Sequence, residues 1–208
     1  MHGIYMRIGW EKTVTKNGQR EKRVLILEAL SQCLQEKPYT RTTIKDIAKT
    51  AGVNHGLLHY YFTNKEDILI HYIDHVISHH QSVFENWMNK QERLGIDGND
   101  LLEAFFDFMK ERIVLNRKLS RVFIEIWEIG MYNPAVRMKL QSAYRQWFEV
   151  LAAVLERVTP DKEAAGRIST STVAFLEGMA LFSTIFEPGT FDFDAILADF
   201  RSRIIKTL

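Results

Sequence analysis

The chain has 208 residues, enough for one large domain or two smaller ones, and its composition of 46% hydrophobic and 25% charged residues is that of a globular protein. A single cysteine excludes an internal disulfide, and no uninterrupted apolar run approaches the roughly 18 residues of a membrane-spanning helix. The first residues lack the continuous apolar segment of a signal peptide, so we expect a cytoplasmic protein without a membrane partner.

The net charge of +1 conceals two segments of opposite sign. Residues 1–65 contain 11 Lys and Arg against 5 Asp and Glu, which gives 11 − 5 = +6. Residues 66–208 contain 16 against 21, which gives 16 − 21 = −5. The basic segment is a candidate for contact with phosphates, but an unevenly charged solvated surface would have the same composition.

Apolar residues recur at steps of three and four along most of the chain, which predicts an all-α protein. Three helices are expected before a boundary near residue 65 and six after it. Their predicted spans are about 18–36, 44–50, 54–61, 64–91, 100–115, 118–131, 134–158, 161–186 and 193–206. Prolines 38, 134, 160 and 188 all lie at expected helix boundaries.

Capping signals support the starts of three of these helices. Thr43 with Asp46 three residues later, and Thr63 with Glu66, both have the spacing of a capping box. Asn54 precedes the third helix, where its side chain can accept a hydrogen bond from a free backbone N–H.

The second and third helices have the pattern of a helix-turn-helix. Ala48 lies where the two helices would approach most closely, and Gly52 lies in the turn, where a left-handed backbone angle favours glycine. Apolar residues occupy the positions that face inward, namely Ile47, Ala51, Val53, Leu58 and Tyr61. A helical hairpin with a chance glycine is the alternative, but the agreement of several positions favours DNA binding.

In a helix-turn-helix the second helix lies in the major groove, with its first residues near base edges. We therefore expect Asn54, His55 and Leu57 to read bases. Gly56 would let the backbone approach the DNA, and His59, Tyr60 and Lys65 would contact phosphates. Thr43 lies at a helix N-terminus, where free backbone N–H groups favour a phosphate. The predicted DNA-binding residues are Thr43, Asn54, His55, Gly56, Leu57, His59, Tyr60 and Lys65.

The segment TTIKDIAKTAGVNHGLLHYYFTNKEDIL resembles the signature of TetR-family transcriptional regulators. The family pattern is roughly T-x-x-x-I-A-x-x-A-G-V-S-x-G-x-L-Y-x-Y-F-x-x-K-x-x-L, and the resemblance is dense over residues 24–69. Asn54 stands where serine is common, and it can cap equally well. His59 stands where a phosphate-contacting tyrosine is usual; a histidine can still donate to phosphate, with a dependence on pH.

The resemblance implies a repressor that binds a palindromic double-stranded operator as a homodimer and is released by a small-molecule effector. It implies a helix-turn-helix domain at 19–65 and an effector-binding and dimerisation domain at 66–208, without a cofactor. Residues 1–18 contain Arg7, Lys12 and Lys16, and they could form a basic arm along the DNA or be disordered. The last two helices would form the dimer contact. Small residues in the eighth helix would allow close approach of another helix, namely Gly166, Thr170, Ala174 and Gly178.

The acidic segment is rich in aromatic residues and methionine, which could be plain core or the wall of a ligand pocket. Because the resemblance implies control by a ligand, we expect a pocket between the fourth and eighth helices. Its candidate residues are Trp87, Phe105, Met109, Phe123, Trp127, Trp147, Phe175 and Met179.

Two further segments, RVFIEIWEIGMYNPAVRMKLQSAYRQWFEVLAAVLE and AFLEGMALF, are similar to the choline-responsive, BetI-like branch of that family. This similarity implies a cationic ligand held by charge and cation–π contacts. The carboxylate would come from Glu125, Glu128 or Glu177, and the aromatic face from Trp127 or Trp147. A neutral hydrophobic effector is the alternative.

The fourth helix also carries His71, His75 and His79 at steps of four. Imidazoles with this spacing can bind zinc or nickel, so a helical metal-binding protein or enzyme is the alternative function. The three positions fall on the polar face of the helix, where solvent exposure also accounts for them. No Gly-rich phosphate loop, His-Glu-x-x-His motif or cysteine pair occurs, so we expect neither an enzyme nor a metal site.

Overall fold

A computed structural model of the chain describes residues 7–207, and its account of side chains covers residues 18–207. The described residues form nine α helices and no strand, which confirms the all-α prediction of three helices followed by six. The helices are α1 (Arg7–Glu36), α2 (Ile44–Thr50), α3 (His55–Tyr61), α4 (Lys65–Arg93), α5 (Gly98–Met109), α6 (Arg117–Tyr132), α7 (Pro134–Leu155), α8 (Lys162–Ile185) and α9 (Phe193–Thr207).

Two short turns lie between these helices. A 3₁₀ turn (Tyr39–Arg41) precedes α2, and a π-helical turn (Lys110–Val114) continues α5 over residues that the sequence predicted as one α helix. The first helix begins earlier than predicted, at Arg7. Of the basic arm predicted at 1–18, residues 1–6 and the side chains of 7–17 lie outside the described residues.

Polar side chains cap the starts of several helices. Asn133 precedes Pro134, and its Oδ1 accepts hydrogen bonds from the backbone N–H groups of Ala135 and Val136 at 2.9 and 3.2 Å. The box predicted for α4 from Thr63 and Glu66 was wrong by one residue. Asn64 caps the helix by accepting from the Asp67 backbone, 2.8 Å away.

The first of two packed units extends to His75, and α1 supplies one side of its core. The largest buried side chains come from α1, α2, α3, Phe62 and α4; they are Ile26, Leu30, Leu34, Ile47, Leu58, Phe62, Ile68, Leu69 and Ile73. The Tyr72 hydroxyl donates to Ser31 Oγ at 2.9 Å and so joins α4 to α1. The first turns of α4 therefore pack with the helix-turn-helix, and this unit ends about ten residues beyond the boundary expected near residue 65.

The second unit begins at Val76, and its core lies among α5, α7, α8, α9 and the later part of α4. By length and composition, α8 is the one helix in the described part of the chain that could cross a membrane. The buried side chains of α8 include Ala165, Leu176 and Met179, which belong to the core of this unit. Its apolar character is therefore that of a central helix in a bundle.

Candidate nucleic-acid interface and buried polar site

The turn between α2 and α3 has the geometry that the sequence predicts. Gly52 has φ +64°, a left-handed angle that an L side chain rarely adopts. Its N–H donates to Lys49 O at 3.2 Å, and the Val53 N–H donates to Ala48 O at 3.0 Å. These bonds end α2 and turn the chain into α3, which confirms the helix-turn-helix.

A capping box holds the start of α2, as predicted. The Asp46 N–H donates to Thr43 Oγ1 at 3.2 Å, and the Thr43 N–H donates to Asp46 Oδ2 at 2.8 Å. The Lys37 ammonium lies 2.7 Å from the same carboxylate oxygen. Hydrogen bonds from Lys37 and Thr43 hold the pKa of Asp46 well below its usual range. Thr43 thus has an internal structural role, and its contact with DNA stays a prediction.

The outer face of α3 is open to solvent. Leu58 is fully buried against the unit, whereas His55, Gly56 and His59 are exposed and Tyr60 is 68% exposed. The rings of the two histidines meet edge to face, with centroids 4.6 Å apart. The predicted contact residues on α3 are therefore brought together on one accessible surface.

Asn54 and Leu57 lie at the beginning of this surface. Asn54 Oδ1 accepts from the Leu57 N–H at 2.6 Å, so the predicted cap is confirmed. The oxygen of this amide is committed to the helix, and the amide nitrogen is the group left to donate to a base. Leu57 is half-buried.

The aromatic residues that end α3 anchor the helix to its neighbours. Phe62 is buried, with the Arg23 guanidinium of α1 5.0 Å from its ring centroid and the His71 ring of α4 5.6 Å away. The Tyr60 hydroxyl accepts a hydrogen bond from Gln19 Nε2 at 3.3 Å. Phe62 therefore packs α3 onto α1 and α4.

Lys65 differs from the other predicted contact residues because its ammonium group has partners within the unit. Nζ donates to Tyr39 O at 2.9 Å and to Thr42 O at 3.0 Å, and it lies 4.0 Å from the centre of the Tyr39 ring. Burial lowers the pKa of Lys65. Burial, with a smaller contribution from Glu66, raises the pKa of Tyr39 to about 12. The predicted contact of Lys65 with DNA stays a prediction.

In the second unit, a polar chain joins three helices. Trp127 Nε1 of α6 donates to the Tyr144 hydroxyl of α7 at 2.8 Å, and that hydroxyl donates to Glu177 Oε1 of α8 at 2.8 Å. Burial raises the pKa of Glu177, although the hydrogen bond from Tyr144 opposes the shift. Burial and the neighbouring carboxylate also raise the pKa of Tyr144.

The sequence predicted only part of this polar chain. Glu177, the single charged residue in the apolar run TVAFLEGMALF, was one of three carboxylates that the similarity to the BetI-like branch implied. Tyr144 was missed because nothing in its spacing distinguishes it from the other aromatic residues of α7. Only the crossing of α6, α7 and α8 brings its hydroxyl between the indole and the carboxylate.

The remaining predicted pocket residues are distributed through the second unit. Three are in its buried core and three pack against that core; they are Phe105, Met109 and Met179, and Trp87, Trp147 and Phe175. Phe123 lies beside His80, with ring centroids 6.2 Å apart. Burial, then the charges of His79 and Arg112, lower the pKa of His80 to about 4.

Trp147 also lines a groove of about 350 Å³ between α4 and α7. The other lining residues are Gln81, Phe84, Glu85, Gln146, Glu149 and Val150. This groove combines an aromatic wall with two carboxylates. Among the eight predicted pocket residues, Trp147 alone contributes to it.

The three histidines of the α4 row differ in their surroundings. His71 Nε2 lies 3.4 Å from Asp67 Oδ1, while His75 is half-buried and His79 is exposed. Within residues 18–207, no group of three or more His, Cys, Asp or Glu side chains is arranged to hold a metal ion.

An apolar surface lies at the end of α8. Phe182, Ile185 and Phe186 are exposed, and the Phe191 ring lies 4.8 Å from that of Phe186. Earlier in α8, a methyl group added at Gly166 would meet no atom within 4 Å. The end of α8 therefore presents exposed apolar side chains, and Gly166 has open space beside an earlier turn.

Comparison with known families assigns both parts of the chain. Residues 26–72 match the family described as bacterial regulatory proteins, tetR family. Residues 99–208, more than half of the chain, match the family described as BetI-type transcriptional repressor, C-terminal.

Individual relatives agree with these matches. The HTH-type transcriptional regulator TtgR of Pseudomonas putida is 23% identical over 172 residues, which cover 79% of this chain and 81% of the relative. A transcriptional regulator from Pseudomonas aeruginosa has a similar structure, with a TM-score of 0.71 at 19% identity over 90% of each chain. A regulator from Saccharomonospora viridis, solved in complex with choline, has a TM-score of 0.69 at 20% identity and covers 90% of this chain and 95% of its own. The two structures establish the shared fold.

Proposed function

The chain belongs to the TetR family of transcriptional regulators and has a BetI-type C-terminal domain, and from this premise we propose that it represses transcription by binding a palindromic operator as a homodimer. A small-molecule effector bound in the second unit would release it. Because its target is DNA, its place of action would be the cytoplasm.

The exposed face of α3 carries this proposal. His55 and His59 present imidazole donors and acceptors side by side, and Gly56 between them leaves the backbone accessible. The amide nitrogen of Asn54 and the hydroxyl of Tyr60 extend the same polar surface. A short helix with this surface, fixed by Leu58 beneath it, suits insertion into the major groove.

Binding to DNA can be tested without knowing the operator. The full chain would select duplexes from random sequence, and the affinity of the selected duplex would be measured at several salt concentrations. We expect a two-fold symmetric sequence with half-sites roughly 34–36 Å apart and affinity that falls steeply with salt.

The matched variants are His55→Ala combined with His59→Ala, and His79→Ala as the control. The double variant removes two exposed imidazoles of α3, and we expect it to lose about tenfold or more in affinity. The control removes an exposed imidazole of α4 outside the helix-turn-helix and should bind as the wild type does. Failure to select any sequence, or equal binding by all three chains, would refute the proposal.

The exposed apolar side chains at the end of α8 support the proposed homodimer. Two helix-turn-helix units are needed to occupy both halves of a palindrome, and a two-fold axis brings the same surface of each subunit together. Exposed aromatic and aliphatic side chains at Phe182, Ile185 and Phe186 would be buried by such a contact, while Gly166 leaves room for a neighbouring helix.

For the effector, we propose a site at the Glu177 carboxylate, with Tyr144 and Trp127 as its neighbours. A cation placed there would gain the charge of Glu177 in a poorly solvated setting and the face of an indole ring. The predicted aromatic residues around the core, including Trp87, Phe123, Trp147 and Phe175, would form the apolar wall. A neutral hydrophobic effector would use this wall and make no charge contact with Glu177.

Choline is the appropriate probe because a structural relative was solved in complex with it. Calorimetry would compare choline with its neutral carbon isostere, using the wild type, Glu177→Gln, and Glu128→Gln as a control at an exposed carboxylate. We expect Glu177→Gln alone to lose choline binding. Preference for the isostere in every chain would favour the neutral effector.

A further inference from the structure

We propose that Lys65 is a positioning residue of the DNA-binding unit: its ammonium group ties the start of α4 to the segment that leads into α2, and it is not a ligand of a DNA phosphate. The proposal rests on the DNA-binding function proposed above. It concerns how α2 and α3 are held in the geometry that fits a duplex.

The ammonium group of Lys65 is surrounded by groups of its own chain. Two of its three N–H donors are used by Tyr39 O and Thr42 O, at 2.9 and 3.0 Å. The Tyr39 ring lies 4.0 Å from Nζ, within the range of a cation–π contact. All three contacts are made to the four residues 39–42.

These four residues lie in the connection between α1 and α2. The Thr42 N–H donates to Pro38 O and Tyr39 O at 3.1 Å, and the Thr42 side chain is buried. Thr42 is followed directly by Thr43, which caps α2. Lys65 therefore holds the residue directly before the cap of α2, although it lies 23 positions further along the chain.

A phosphate contact would compete with this arrangement. To bind a phosphate in place of these partners, the ammonium group would have to give up two carbonyl oxygens and one aromatic ring. Lys45 and Lys49 of α2 are exposed and could supply charge to DNA. Partial burial lowers the pKa of Lys65, in agreement with these contacts.

Salt dependence of DNA binding distinguishes the two roles. Each phosphate contact adds about 0.9 to the slope of log affinity against log salt concentration. We expect Lys65→Met to lower affinity for the selected duplex on the order of tenfold, with an unchanged slope. A slope reduced by about 0.9 would overturn the proposal. Lys49→Met is the matched control, because it removes one positive charge from an exposed position on α2.

A double-mutant cycle with Tyr39→Leu tests the role of the ring. If Lys65 acts through residues 39–42, its replacement should cost less in the Tyr39→Leu chain than in the wild type, because part of the contact is already lost. Strictly additive losses would contradict the proposal. Lys65→Arg, which keeps a cation with several donors, should recover part of the affinity lost in Lys65→Met.

Two measurements on the full chain without DNA separate this proposal from the proposed function. Nuclear magnetic resonance of the wild type should detect the Lys65 ammonium protons in slow exchange with water, and in Lys65→Met the amides of residues 42–46 should exchange faster. If no duplex is selected but both effects are seen, the proposed function fails and the positioning role stands. Rapid exchange of the ammonium protons in the wild type would overturn the positioning role, whatever DNA binding shows.

Discussion

Replacement of Gly52 by alanine tests the turn on which the DNA-binding geometry depends. Gly52 has φ +64°, and a Cβ atom built there would have no neighbour within 4 Å. The substitution therefore introduces no clash with another residue. Its whole cost comes from the backbone angle, which an alanine adopts only under strain.

The size of the effect can be worked out from two opposing contributions. A left-handed angle costs an L residue about 1–2 kcal/mol, whereas alanine restricts the unfolded chain and recovers about 0.4–1 kcal/mol. The free energy of unfolding of the first unit should therefore fall by about 1 kcal/mol. Gly52→Asn should lose less, because asparagine tolerates this region better than alanine.

Urea unfolding followed by circular dichroism would measure these differences. The wild type, Gly52→Ala and Gly52→Asn should share one slope against urea and differ in midpoint, with alanine the least stable. The alanine variant should also bind the selected duplex more weakly, since any relief of the strain changes the angle between α2 and α3. An alanine variant as stable as the wild type would refute the role of the left-handed turn.

Three other substitutions have defined outcomes. Burial raises the pKa of Glu177 above its usual 4.5, so the folded state holds this proton more tightly than the unfolded state does. The free energy of unfolding should therefore fall as pH rises through the raised pKa, by at most about 1.4 kcal/mol per pH unit. Glu177→Gln should remove this pH dependence, and parallel curves of stability against pH for the two chains would exclude it. Asn54→Ser keeps an oxygen that can cap α3 but removes the amide nitrogen. The variant should be as stable as the wild type and bind the selected duplex about tenfold more weakly. Unchanged DNA affinity would show that Asn54 acts only as a cap. Ile185→Asp should sediment as a monomer of 24.3 kDa. Met138→Asp, a control at a side chain with the same 63% exposure, should remain a dimer. If both variants are dimers, the end of α8 is not part of the interface.

Features that depend on neighbours in the chain could be predicted from the sequence. The turn at Gly52, the capping box of Thr43 and Asp46, and the cap at Asn54 all involve residues within a few positions of one another. Their geometry follows from local backbone angles and side-chain length, which the residue types specify. The burial of Leu58 opposite an exposed histidine face also follows from helical spacing alone.

The exact start of α4 was less predictable, for the same local reason. Thr63 and Asn64 are both good caps, and each has an acidic residue at a suitable distance. Asn64 became the cap, while Asp67 accepts hydrogen bonds from the Thr63 backbone and hydroxyl at 2.9 and 3.1 Å. Two nearly equivalent patterns one residue apart cannot be separated by residue type alone.

Partners distant in the sequence were settled by the tertiary structure. Lys65 has the position of a phosphate ligand in the family pattern, yet its ammonium group lies on carbonyl oxygens 23 and 26 residues earlier. Tyr144 has no distinguishing spacing, yet it lies between Trp127 and Glu177, 17 and 33 residues away. The predicted aromatic residues also divided between core and groove according to how the helices cross.

The residue sequence by itself determined the helices, the turn at Gly52 and the polar outer face of α3, because helical period, capping and left-handed angles are properties of short segments. Packing decided which long side chains are held internally and which remain available to a ligand. A lysine, tyrosine or glutamate reaches several ångströms in any of its rotamers, and only the surrounding helices select one partner for it.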